Sequence, residues 1–241
     1  MEFKLPTETV TLPSKGLFYP KDNPLSSGEV EVKYMTAKEE DILTNANYIQ
    51  DGTVLDKLMK SLIVSKINYS DLLIGDKNAI MVSSRILGYG KDYKFTYQGE
   101  EHTVDLSTLE NKEIDPSLFT PGNNTFNFTL PTTNIEVTFK LLTHGDEAKI
   151  AQEIKSLKKI NAKATADLTT RLKYIIQSVD GNDETKEIRK FIDNYLLAQD
   201  ARALRNYINE IQPDVDLTFF HERTEKRYPI PIGLNFFWPD A

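Results

Sequence analysis

The hydrophobic positions change period several times along the chain. Residues Thr9–Tyr34 read as two extended pieces around PSKGLFYPKDNPLSSG, where Pro13, Gly16, Pro20, Pro24 and Gly28 deny helix continuity. In GEVEVKYM, Val30 and Val32 alternate with Glu29, Glu31 and Lys33, as in a strand with one solvated face. The pattern turns helical at Thr36, which forms a capping box with Glu39 and predicts a helix from about Ala37 to Ile49, with Gly52 as the break. Leu55, Leu58, Met59, Leu62 and Ile63 then mark one face of a second helix. Asp76 is placed to cap a third, running through Ile80, Met81 and Leu87 to Gly88.

From Lys91 the period shortens again. DYKFTYQ and EHTVDL alternate across Gly99 and predict a hairpin, and FNFTL with IEVTFKLL predicts another. Beyond Thr143 the spacing is helical. Ile150, Ile154 and Leu157 make one face, Leu168, Leu172, Ile175, Ile176 and Val179 a second, and Ile188, Phe191, Ile192, Tyr195 and Leu196 a third. Asp200 is placed to cap a helix carrying Leu204, Tyr207, Ile208 and Ile211 that closes at Pro213. DLTFFHE, the turn RTEKR and YPIPIGLNFFW predict a terminal hairpin. The expectation is an α+β fold without internal repeats. A β-rich part with short helices and two hairpins (1–142) precedes a helical bundle (143–213) and a C-terminal β-hairpin (214–241).

Composition narrows the chemistry. The 241 residues include no Cys, which removes disulfides, thiol nucleophiles and thiolate metal sites. Three His are scattered, without HExxH or an i,i+4 pair. A net charge of -7 opposes general nucleic-acid binding, and no apolar run suits a membrane span or a secretion signal, so a cytosolic setting is expected. Phosphate-binding glycine loops, a GxSxG elbow and an EF-hand loop are absent from the sequence. Neither a cofactor nor a metal is therefore expected.

Four groups of residues still invite a functional reading. His144, Asp146 and Glu147 lie within four positions and suit either a metal or proton site or the acidic start of a helix. His102 and His221 have no visible third member for a ligand set. Between Lys149 and Lys173, a basic stretch containing Lys155, Lys158, Lys159, Lys163 and Arg171 is either a solvated face or a dock for an acidic partner. Leu17, Phe18 and Tyr19 in the connector, and Phe236, Phe237 and Trp238 near the other end, either anchor a partner or pack within the monomer.

The segments LPSKGLFYP, GEVEVKYMTAKEEDIL, LLAQDARALRNYI, PDVDLTFFHE and PIPIGLNFFWP together resemble the baseplate hub and hub-assembly proteins of T4-like contractile-tailed phages. The resemblance implies a non-enzymatic structural or assembly role exercised through other hub or tail proteins. It places the protein in the host cytoplasm during assembly and in the tail baseplate if retained. A transient chaperone for a hub subunit and an Asp/Glu/His hydrolase using His144 remain the alternatives. Related baseplate proteins often carry a Cys-pair, zinc-ribbon-like turn where this chain has HERTEKRYP. Without cysteine, that role is not carried over, and strand pairing alone is expected to hold the turn. No heptad is long enough to indicate an oligomeric state.

Overall fold

A computed structural model describes residues 5–160 and 166–237. The first alternation becomes an antiparallel pair, β1 (Thr7–Thr11) with β2 (Glu29–Lys33), in which Val10 faces Val30. The connector folds back on itself through Leu12 N–H donating to the Gly28 carbonyl at 2.8 Å. Gly16 makes this possible: its φ is +75°, and a Cβ there would sit 2.4 Å from the Ser26 carbonyl oxygen.

The expected helix 37–49 is two helices, α1 (Ala37–Leu43) and α2 (Ala46–Gln50). Asn45 ends the first by starting the second, since its side-chain oxygen accepts from the amides of Asn47 and Tyr48. The next helix, α3 (Val54–Leu62), buries Leu58, Met59 and Leu62, while Ile63 leaves it to bridge Val32. A long helix, α4 (Ile74–Tyr89), follows. Strands β3 (Asp92–Tyr97) and β4 (Glu100–Asp105) then form a hairpin, with Gln98 and Gly99 at φ +51° and +84° in its turn.

The second hairpin, β5 (Phe126–Thr129) with β6 (Glu136–Phe139), has a third member that the spacing did not reveal. After α5 (His144–Ile160) and α6 (Asp167–Ile175), Ile176 and Val179 do not continue a helical face. They lie in strand β7 (Ile176–Val179), which pairs with β6 and joins Thr138 Oγ1 to Ser178 Oγ at 2.6 Å. Pairing with an open sheet edge overrides the helical spacing. The sheet is thus shared between segments 1–142 and 143–213. Helices α7 (Thr185–Asn194) and α8 (Ala198–Ile211) complete the helical part.

The terminal hairpin is shorter than expected. β8 (Thr218–His221) pairs with β9 (Lys226–Pro229), so Lys226 and Arg227 are strand residues rather than turn residues, and the chain beyond Pro229 leaves the sheet for a 3₁₀ turn at Leu234–Phe236. One continuous core runs from Val10 to Phe237. The α+β class and the C-terminal β-hairpin are as expected.

Neither Asp76 nor Asp200 is an N-cap. Each is the third residue of its helix, α4 and α8, after Leu73 and Leu197 at the respective caps. The fully buried Asp76 carboxylate accepts from Ser14 N–H at 2.9 Å, Ser14 Oγ at 2.7 Å and Tyr19 Oη at 2.5 Å. Burial pushes this carboxyl above its usual range, and the three donors oppose that shift. Asp200 likewise accepts from the amides of Thr132 and Thr133 and from Thr133 Oγ1, holding the β5–β6 turn on α8.

Glu39 occupies the same position in α1. It receives Lys33 Nζ at 2.8 Å, Ser61 Oγ at 2.6 Å and both the amide and hydroxyl of Thr36. Burial alone would raise the Glu39 pKa; the donors from Lys33, Ser61 and Thr36 overcome it and lower it to about 2. Because this lies below the ordinary value of 4.5, ionised Glu39 stabilises the fold above that pH, and the contribution is lost as pH falls towards 2.

Two outcomes follow from these buried carboxylates. Asp76→Ala strands three donors and should cost on the order of 3 kcal/mol in urea unfolding at neutral pH. Glu39→Gln should cost roughly 2–3 kcal/mol at neutral pH, a deficit that narrows in acid denaturation profiles as Glu39 of the parent is protonated.

Candidate functional site

The aromatic clusters are occupied within the monomer. Phe18 and Tyr19 are buried, and the Phe18 ring meets Phe119 edge-on at 4.7 Å and lies 6.0 Å from Phe126. Tyr19 Oη donates to Asp76 and accepts from the Leu73 amide at 2.9 Å. Leu17 is half-buried against the same core. Phe236 and Phe237 are completely buried, with Phe236 packed edge-on to Tyr93 at 4.9 Å. Phe18, Tyr19, Phe236 and Phe237 are therefore corrected from partner anchors to core side chains, because a bend or 3₁₀ turn rotates consecutive side chains inward where a strand would split them between faces. Trp238 lies outside the described residues.

His144 is spent on a structural clasp. It opens α5, where the Thr143 hydroxyl donates to the Asp146 carboxylate and accepts from the Asp146 amide, and Lys140 Nζ reaches Asp146 at 2.7 Å. Its ring lies 4.5 Å from Tyr69. Lys77 Nζ is 3.2 Å from His144 Nδ1, and Asp56 Oδ2 is 3.3 Å from Nε2. An ammonium group only donates, so Nδ1 accepts and Nε2–H points to Asp56. Burial would raise the Asp56 pKa; the bond from His144 and the charge on Lys77 instead lower it to about 2.

The basic stretch does form an open surface. Lys149, Lys155, Lys158 and Lys159 are exposed on α5, and Lys163 falls outside the described residues. Arg171 pairs with Glu147, Lys173 with Asp193 at 2.7 Å, and Lys158 only loosely with Asp167 at 3.9 Å. Among the described residues, Lys149, Lys155 and Lys159 make no ion pair. A groove of about 490 Å³ between α5 and α6 is lined by Lys155, Lys158 and Arg171. Arg171 and Glu147 also line a neighbouring cleft of about 440 Å³ that adds Lys140, Arg202 and Arg205. The arginines of α8 are the cationic contribution that reading the basic stretch alone missed. They lie 29 and 32 positions beyond Lys173 and reach this surface through helix packing.

The other open feature is a cleft of about 770 Å³ between hairpins β3–β4 and β8–β9. Contrary to the sequence reading, His102 and His221 do have a third member. Glu100, His102 and His221 each offer one donor atom within 4.8 Å of the others, the one such group among the described residues. Glu100 and His102 are two apart on β4 and so share a face, a signal present in the sequence. His221 arrives only through packing of the two hairpins, with its ring centroid 5.2 Å from that of His102. Arg223 Nη1 holds Glu100 Oε1 at 2.7 Å.

The placement of the aromatics gives a direct test. Phe18→Ala and Phe236→Ala should each lose about 3–5 kcal/mol of unfolding free energy in denaturant titrations. Retention of parental stability in both would return them to the surface.

Among the described residues, no helix is long and apolar enough to cross a membrane. Comparison with known proteins gave no match among curated proteins and none among solved structures. The family model described as T4 bacteriophage base plate protein matches residues 6–224. That span takes in the Ser14–Asp76 junction, the basic surface and the first strand of the terminal hairpin, and the chain belongs to the T4 bacteriophage base plate protein family.

Proposed function

We propose that this baseplate-family protein is a non-enzymatic structural or assembly component of the baseplate hub, acting by docking its basic α5–α6–α8 surface onto acidic faces of other hub or tail proteins. The observation that carries the reading is the concentration of exposed cations, Lys155, Lys158, Lys159, Arg202 and Arg205, around two adjoining grooves on a chain of net charge -7. Such polarity speeds encounter and selects partners of opposite sign. The occupied aromatic clusters support the same assignment, because they are spent inside the monomer while the cationic side chains of α5 and α8 stay exposed. Engagement of both His144 ring nitrogens by Lys77 and Asp56 agrees with a structural role for this side chain. Assembly takes place in the host cytoplasm on this reading, with the tail baseplate as destination.

The test is the association of the full chain with purified hub and tail proteins at low and high salt. The triple substitution Lys155→Glu, Lys158→Glu, Arg202→Glu should weaken binding by about ten-fold or more at low salt, chiefly through a slower on-rate, and flatten the salt dependence. Binding that ignores both salt and these substitutions would overturn the docking surface. Stoichiometric detection of the protein in purified particles by mass spectrometry supports a resident component, and its absence there supports the transient chaperone.

A further inference from the structure

We infer that Glu100, His102 and His221 form a binding site for a divalent cation of borderline softness, zinc being the best match, and that the bound ion clamps hairpin β3–β4 to hairpin β8–β9. Two imidazole nitrogens and one carboxylate oxygen are a donor set that suits zinc, and all three residues line the open cleft, from which water can supply a fourth ligand. His102 Nε2 is buried and has no hydrogen-bond partner among the described residues. A buried polar nitrogen left in that state is costly, and a ligand is one way to satisfy it.

The geometry needs only small adjustments. Donors around a tetrahedral zinc lie about 3.3 Å apart. Here His221 Nε2 and Glu100 Oε2 are 3.9 Å apart, and all three donors fall within 4.8 Å. Glu100 is only partly buried, so its side chain can close the remaining gap by torsion. The rest of the site is fixed. Lys112 N–H donates to the Asp214 carbonyl and Asp216 N–H to the Glu110 carbonyl, each at 2.8 Å, joining the chain after β4 to the chain before β8. Phe219 packs against Phe95 at 5.0 Å and against Tyr97 at 5.3 Å, holding the hairpins face to face.

The neighbours of the ligands also fit. Thr224 offers His221 Nδ1 two contacts that serve opposite tautomers: its amide at 3.3 Å donates to a bare Nδ1, and its hydroxyl at 3.2 Å can accept from Nδ1–H. The second arrangement leaves the Nε2 lone pair directed at Glu100, as a metal-ligating histidine requires. Arg223 occupies Glu100 Oε1 and leaves Oε2 turned towards His221. Its positive charge opposes the cation, so removing it should tighten binding.

The experiment uses the tag-free full chain stripped with chelator, titrated with Zn²⁺ by calorimetry and with Co²⁺ by visible absorption. One equivalent should bind and raise Tm by several degrees, and cobalt should give the absorption of a tetrahedral site. Glu100→Gln and His102→Gln should each weaken zinc at least ten-fold, while Arg223→Gln should bind zinc more tightly than the parent. Circular dichroism of the metal-free variants checks that they fold. If His102→Gln does not, Glu100→Gln decides, because that side chain lies at the cleft. Failure to bind one equivalent, or parental affinity in Glu100→Gln, overturns the site without touching the docking reading, which rests on the opposite charge and other elements.

Discussion

The carboxylate of Asp76, removed from water at the start of α4, is the constraint on which the N-terminal half is built. It cannot be left without donors, and the donors come from Ser14 and Tyr19. Tyr19 closes the circle by accepting from Leu73, immediately before the helix. The turn-rich connector between β1 and β2 therefore has one acceptable seat against α4, and Phe18 is carried into the core with it. This arrangement stands in for an extensive sheet. The described strands form sheets of two or three members, which have little independent stability in water.

The same device recurs. Glu39, Asp76, Asp146 and Asp200 are each the third residue of a helix, where the unpaired amides and the dipole already favour negative charge. Each also gathers donors from outside its helix: Lys33 and Ser61, Ser14 and Tyr19, Lys140, and the Thr132–Thr133 turn. Helix starts thereby position the loops, and these four carboxylates are spent inside the fold. The cations on the outer faces of α5 and α8 are left comparatively uncompensated, which gives an acidic protein a basic side.

What the sequence disclosed depended on the range of the interaction responsible. The Thr36–Glu39 box, the Gln98–Gly99 turn and the α3 face arise from residues a few positions apart and were legible. The break at Asn45 was also local, but its side chain competes with a helical pattern that runs through it. Asp76 and Asp200 were recognisable as belonging to helix starts, yet their partners lie 57 to 68 residues away, so their role as staples was not. Ile176 and Val179 kept helical spacing and went to a strand because an unpaired edge of β6 was waiting. Half of the histidine cluster was readable from the alternation of β4, and the other half required the packing of two hairpins. The motif LPSKGLFYP revealed the family through residues whose work is to hold the core.

Gly75, in the first turn of α4, leaves so little room that a Cβ there would lie 1.9 Å from the carbonyl oxygen of Pro213. Beside it Asn78 Nδ2 donates to Asp214 Oδ1 at 2.9 Å, a contact spanning 136 positions. During synthesis, the start of α4 thus waits for its cover until residues 136 positions further along have left the ribosome. The N-terminal half must persist for that interval with an uncapped seam, at a cost in exposure to proteases and to association with other nascent chains. Closure of this seam is in this sense timed by the Pro213–Asp214 segment that follows α8, so removing that segment would leave the start of α4 uncovered.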